Sequence, residues 1–361
     1  MNDQTNQPRV YIAGTGMITP IGANTAMTAA AVRAGVSGYR YTDFYVGDDE
    51  YVRMALVPQG ALEGSLNEEI LTSEYTTGEY TARQYRLLQL AKLALEELQP
   101  ALPQNVKLPL FIAGPEQLFE GDQPINGVFL QNLAKQTGVN LDLTMSRIIS
   151  TGRAGGLAAV NLAFRFFASG EESFAIVAGV DTFYDGAVVQ TLQKDERLLA
   201  GGNMDGFIPG EGAAFILLCK HKVPLHKNTD KIVCLYEAGL GNEPGHRASK
   251  EPYRGDGLAS TVATALANAK TAKIKTLYSS MNGEHFFAKE HGVAMIRNSE
   301  FLEEHIKIEH PADCFGDLGA AFGPVAVGII ATHLLNNKIG SPCIVCCSSD
   351  KESRGAVVMH P

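Results

Sequence analysis

No run of apolar residues in this 361-residue chain approaches the roughly 20 that a membrane-crossing helix needs, so no membrane span is expected. The first ten residues, Met1 to Val10, are polar and lack the apolar core of a signal peptide. An excess of basic residues is missing too. Thirty Lys and Arg stand against 39 Asp and Glu, and the net charge of −9 is spread along the chain. Nucleic acid and anionic membranes are poor partners for such a surface, because both need a basic face. Tryptophan is absent, and there is no low-complexity tract. Zinc-type cysteine spacing is also lacking. Cys219, Cys234, Cys314, Cys343, Cys346 and Cys347 fall mostly in apolar, strand-like runs, with no CxxC pair suited to zinc. They read as reduced, buried thiols of a cytoplasmic protein.

What is present is an alternation of short apolar runs with longer helical patterns, which predicts α/β architecture. Strands are expected at 10–13, 108–113, 147–150, 174–179, 214–219, 232–237, 274–280, 343–347 and 356–359. Helices are expected at 24–34, 82–98, 154–168, 257–269 and 319–335. The 82–98 segment carries Leu87, Leu88, Ala91, Leu95 and Leu98 on one stripe, so it should cover a core on one side. The 154–168 segment is apolar nearly all round and should be a buried central helix. Residues 220–231 are polar and contain Pro224. They read as a linker between an N-terminal half, 1–220, and a C-terminal half, 221–361. Gly114–Gln123 reads as an acidic loop.

Several features invite a functional reading that a plainer one outweighs. Gly14-Thr15-Gly16 lacks the third glycine and the downstream acid of a dinucleotide fingerprint, so a tight strand-to-loop turn is expected and no cofactor. His285, His291, His305 and His310 are loosely spaced around helical segments, and scattered surface histidines are expected rather than a metal site. Cys346-Cys347 reads as core. Glu284 beside Asn282 could serve as an acid, but the sequence offers it no partner.

Five segments in order resemble the thiolase-fold β-ketoacyl synthases. They are VYIAGTGMITPIG from Val10, ISTGRAGGLAAVNLAFRFFASGEESFAIVAG from Ile149, DGFIPGEGAAFILL from Asp205, GNEPGHRASKEPYRGDGL from Gly241 and FGDLGAAFG from Phe315. The resemblance implies two similar βαβαβαββ halves packed as a five-layered α/β/α/β/α sandwich, normally dimeric, with trimmed cap loops. In that fold the 205–218 motif is mainly architectural.

The resemblance also says where catalytic groups would stand. The family's nucleophilic cysteine opens the buried helix, where the dipole and free N–H groups lower a thiol pKa. Here that position is Arg153, which cannot attack a thioester or lose its proton. The two histidines that would promote decarboxylation are replaced by Met281 and Asp317, with His285 four residues too late for the first. The family's upstream lysine aligns near Ala312. The glycine- and phenylalanine-rich gating loop becomes Ser348-Ser349-Asp350-Lys351-Glu352-Ser353-Arg354, too charged and bulky for an acyl chain to pass. No catalytic residue is therefore expected. A buried arginine at a helix N-terminus needs an anion, so an ion pair between Arg153 and Asp317 is expected.

The wording of 281–285 and 310–321 resembles a divergent thiolase-like group found beside type VI secretion spike and effector-loading proteins. That resemblance implies a non-catalytic scaffold or adaptor, with an effector or spike protein as partner. The other reading is a chain-length-factor-like subunit paired with an active ketosynthase in polyketide or aryl-polyene synthesis. Both imply a dimer, with itself or with a related chain. A third possibility is new chemistry in the old pocket.

Overall fold

The computed structural model describes residues 8–46, 50–71, 80–170, 172–222 and 231–361. The chain opens with β1 (Arg9–Ile18) and α1 (Thr25–Ala34), whose first turn is closed by the Asn24 side chain accepting from the Met27 N–H. The hairpin β2 (Tyr39–Val46) and β3 (Glu50–Ala55) and the single turns α2 (Gln59–Leu62) and α3 (Glu68–Leu71) follow. Helix α4 (Ala82–Leu98) starts at a capping box between Thr81 and Gln84, and its Leu87, Leu88, Ala91, Leu95 and Leu98 are fully buried. Next come β4 (Leu110–Ala113), α5 (Gly127–Thr137) and β5 (Arg147–Ile149). A 3-10 turn at Gly152–Ala154 leads into α6 (Gly155–Ser169), then β6 (Phe174–Thr182), α7 (Gly186–Lys194) and β7 (Glu211–Cys219). The rest of the chain forms β8 (Cys234–Tyr236), β9 (Gly239–Asn242), α8 (Asp256–Ala269), β10 (Ile274–Ser279), α9 (His285–Arg297) and β11 (Leu302–Glu309). It ends in α10 (Ala312–Phe315), α11 (Phe322–Leu335), β12 (Cys343–Ser348) and β13 (Ser353–His360).

Strand pairing repeats itself. The first run is β5-β4-β6-β7-β1 and the second β11-β10-β12-β13-β8, each with two parallel contacts followed by two antiparallel ones. The runs join through antiparallel β1 and β8, Val10 opposite Leu235. Helices α6 and α11 lie between the runs, touching each other and strands of both. They are apolar on nearly every side because a sheet faces them on each side. Helix α4 covers the outer face of the first run and α8 that of the second. This gives the five alternating layers of a thiolase-type α/β fold.

Several expectations need correcting. Gly14-Thr15-Gly16 is not a turn but lies inside β1, after a register shift between Ile12 and Gly14. A β-carbon on Gly16 would sit 2.3 Å from the Ala94 carbonyl oxygen, so glycine there permits α4 to press on the strand. Strands β2, β3, β9 and β11 and helices α5, α7 and α9 were not expected. The helix expected at 319–335 is a 3-10 turn at Gly319–Ala321 followed by α11. His285 and His305 are exposed, but His291 is buried against Ser279 and His310. Burial, and then His310, push the His291 pKa down to about 4, so it is neutral. Most of the linker expected at 220–231, residues 223–230, lies outside the described residues. No helix among the described residues is long and apolar enough to cross a membrane.

Candidate functional site

Arg153 stands in the 3-10 turn that feeds the N-terminus of α6, a helix with no acidic residue in its first turn. The turn starts at Gly152, with φ +62, a left-handed conformation that favours glycine. The guanidinium is thus delivered, 3% exposed, to the positive end of a helix dipole, where only neighbouring anions make it tolerable.

Two anions meet it. Arg153 Nε donates to both oxygens of Asp317, at 3.0 and 2.9 Å, and Nη2 donates to Asp317 Oδ2. Nη1 donates to Asp350 Oδ1 at 2.8 Å. The Phe287 ring lies 5.0 Å beneath the guanidinium carbon, a cation–π distance. Burial opposes this charge, but Asp317 and then Asp350 hold its pKa well above the ordinary arginine value.

Asp350 extends the cluster to a second arginine. Its Oδ2 accepts from Arg197 Nη1 at 2.5 Å and its Oδ1 from Arg197 Nη2 at 2.9 Å. Burial would raise the Asp350 carboxyl, but Arg153 and Arg197 hold it far below the carboxylate range. Arg197 also forks onto Glu284, Nε to Oε1 at 3.0 Å and Nη2 to Oε2 at 2.7 Å, and Arg247 reaches Glu284 at 3.0 Å. Asn282 Nδ2 donates to Glu284 (3.0 Å) and Asp317 (2.9 Å), closing the ring. Three arginines thus face three carboxylates, Asp317, Asp350 and Glu284. Arg153, Arg197, Asp317 and Glu284 are each at least 97% buried, and their mutual pairing is what makes burial of so many charges possible.

The structure thus brings Arg153 and Asp317 together. Met281 lies half-buried after β10, its backbone N–H on Ser279 Oγ at 3.2 Å, and its neighbour Asn282 enters the cluster instead. Glu284 has strong partners, contrary to the sequence expectation. Arg197 and Asp350 were missed as cluster members. Arg197 follows the exposed, charged stretch Lys194-Asp195-Glu196 and carried no signal, and Asp350's only signal was its charge just after the buried apolar run of β12.

The thiols are poorly placed for nucleophilic work. All six cysteines are buried and free. Burial pushes Cys219 up to about 11 and Cys343 and Cys346 up to about 12, and it also holds Cys347 well above an ordinary thiol. A thiol needs the opposite shift to attack. The 205–218 motif supplies Glu211, whose carboxylate takes two bonds from Arg86, one from Thr182 Oγ1 and one from the Val57 N–H. That arrangement ties β7 to α4 and to the loop after β3, an architectural role. No cluster of three or more His, Cys, Asp or Glu side chains suited to a metal occurs among the described residues.

This chain carries two kinds of likeness to known proteins. Residues 137–223 match the family model for the N-terminal domain of β-ketoacyl synthases. The fold matches solved structures over nearly the whole chain. One is a ketosynthase in complex with its chain length factor from Xenorhabdus doucetiae, with TM-score 0.75, 15% identity and 99% of each chain covered. Another is the ishigamide ketosynthase/chain length factor, with TM-score 0.71, 17% identity and 98% of each chain covered. A third is a β-ketoacyl synthase from Burkholderia phymatum, with TM-score 0.69, 15% identity, and 98% of this chain and 100% of that one covered. The fold is therefore that of the ketoacyl synthases within the thiolase-like group, at identities that speak for architecture alone.

Proposed function

We propose that this chain is a non-catalytic ketosynthase-fold protein that works by binding a protein partner, with its former catalytic pocket closed by ion pairing. The observation that carries this reading is Arg153. It holds the helix-start position where a ketosynthase keeps its nucleophile, and three of its nitrogens are committed to Asp317 and Asp350. Met281 and Asp317 stand where two histidines would be needed, and no thiol has the acidity for acyl transfer. Incubation with acyl thioesters of coenzyme A and of acyl carrier protein, followed by intact-mass spectrometry, is expected to leave the protein's mass unchanged. A covalent acyl adduct on any cysteine overturns the reading.

The partner favoured by the likenesses is a second thiolase-fold chain, making this a chain-length-factor-like subunit. Two of the similar structures contain a ketosynthase together with a chain length factor. The edge available for such pairing is β5, bonded to β4 on one side and to no other strand among the described residues. We expect a dimer through this edge, with itself or a related chain. A monomer by sedimentation at high micromolar concentration, with no partner that restores dimer mass, removes this part. The scaffold reading, with a type VI secretion effector or spike protein as partner, rests on the wording of 281–285 and 310–321. An affinity pull-down from the source organism separates the two, through recovery of a ketosynthase and carrier protein or of a spike protein and effector. The buried free thiols favour the cytoplasm as the site of action.

A further inference from the structure

The β2–β3 hairpin is a two-stranded sheet of its own, apart from the main one. Val52 and Met54 turn inward to a small core with Val188, Leu192 and Leu198, the packing that so short a sheet needs. Its other side is bare and aromatic. Tyr41, Tyr45 and Tyr51 are 68%, 54% and 42% exposed. Tyr45 stands opposite Tyr51 in the register, their rings 4.4 Å apart and their hydroxyls hydrogen-bonded at 2.7 Å. The pair is thus ordered before any contact is made, and tyrosine covers a large area at little entropic cost. Beside the pair the surface dips. Glu50 Oε2 accepts the Gly201 N–H at 2.7 Å, which moors the loop after α7 to the end of the hairpin. A groove of about 500 Å³ lies there, lined by Val46, Leu198 and Ala200 and by the polar Gln193, Glu196 and Asn203.

Acid prevails around this groove. Asp43, Glu50 and Glu196 are exposed, against one half-buried cation, Arg53. Lys194 and Asp195, next to Glu196 in the chain, cancel. Arg40 is engaged past the other end of β3, where it donates to the Leu56 and Val57 carbonyls. We propose that the Tyr45–Tyr51 pair and this groove form a docking site for an extended, Lys- or Arg-bearing segment of a partner protein. A cation of the segment lies against the tyrosine rings, and an apolar side chain enters the groove. The surplus of carboxylates selects for that charge and speeds the encounter. A second copy of this chain would set the same carboxylates against one another, and a polyanion would be repelled. The site is additional to the β5 edge and does not depend on pairing there.

A phage-displayed library of random peptides, selected on the immobilised full chain and counter-selected on a Tyr45→Ser/Tyr51→Ser variant, tests this. The recovered peptides are expected to be enriched in Lys and Arg over the unselected library and to pair them with an apolar residue. A synthetic copy of the most frequent peptide should bind the double-serine variant at least about tenfold more weakly than the wild type. Its affinity for the wild type should fall as salt rises. Should the double-serine variant fail to fold, Asp43→Lys with Glu196→Lys takes its place, since neither side chain is tied into the hydrogen bonding of the hairpin. That variant should lose the basic peptide to the same degree. Recovery of acidic or uncharged peptides, no peptide that distinguishes wild type from variant, or equal binding to both overturns the proposal. So does a wild-type dimer in sedimentation that Tyr45→Ser/Tyr51→Ser dissociates, which would seat a second copy on this face.

Discussion

Asp350→Ala is expected to destabilise the protein by about 3–5 kcal/mol, the usual loss when one partner of a buried ion pair is removed. The reason lies in its position between two buried cations. Its carboxylate takes bonds from Arg153 at 2.8 Å and from Arg197 at 2.5 and 2.9 Å, and neither guanidinium has solvent to fall back on. Truncation leaves Arg153 with Asp317 and Arg197 with Glu284, and one positive charge without a counterion. Glu116 stands close enough to supply part of it. With Asp350 gone, its carboxyl loses a repulsive neighbour and keeps the attraction of Arg153, so it should ionise at lower pH than in the wild type. The loss should therefore be largest near pH 5.5 and smaller near pH 8. Denaturant midpoints of wild type and variant at both pH values check this. A variant as stable as the wild type at pH 5.5 would show that the Asp350 bonds contribute little.

Charge in this cluster was only half legible in the sequence. Arg153 and Asp317 stood out because each fills a position where the resembling family needs a different chemistry. Nothing comparable marked Arg197, in the loop after α7, or Asp350, at a hairpin tip. Their meeting is a matter of long-range packing, since they stand 153 positions apart in the chain. Glu284 looked unpartnered because both its arginines arrive from remote loops.

Much the same division holds for the fold. Segments with a strong, uniform pattern were readable: α4 falls at 82–98 as its leucine stripe predicts, and the apolar runs at 174–179, 214–219 and 343–347 all lie in strands. Strand β11 was not readable, because LEEHIKIE is charged and mostly exposed; it is a strand through pairing with β10 at the sheet edge. Helix α9 carries Gly292 in its middle and little apolar periodicity. In the β2–β3 hairpin the inward residues Val52 and Met54 sit on a small satellite core with Val188 and Leu198, while Tyr41, Tyr45 and Tyr51 remain exposed. Aromatic residues turned outward obscure the polar-out pattern that would mark such a strand.

Asp317→Ala is expected to cost about 3–5 kcal/mol, and the comparison that gives this meaning is a double-mutant cycle. The Asp317 carboxylate accepts from Arg153 at 2.9 and 3.0 Å, from Asn282 at 2.9 Å and from the Gly319 N–H at 2.9 Å. Alanine leaves the Gly319 N–H without its acceptor and takes from Arg153 one of its two carboxylate partners, while Asn282 keeps Glu284. Arg153→Met alone should be milder, because Asp317 keeps Asn282 and Gly319 and Asp350 keeps Arg197. Arg153→Met with Asp317→Leu removes one charge of each sign and fills the space with apolar groups beside the buried Phe287 ring. What remains unsatisfied is chiefly the Gly319 N–H, worth about 1–3 kcal/mol, since Asn282 retains Glu284. The double variant should therefore be more stable than Asp317→Ala and within about 1–3 kcal/mol of the wild type. Urea midpoints for the wild type and the three variants measure the cycle. A double variant no better than Asp317→Ala would mean that the loss comes chiefly from the hydrogen bond to the Gly319 N–H rather than from removing a counterion of Arg153.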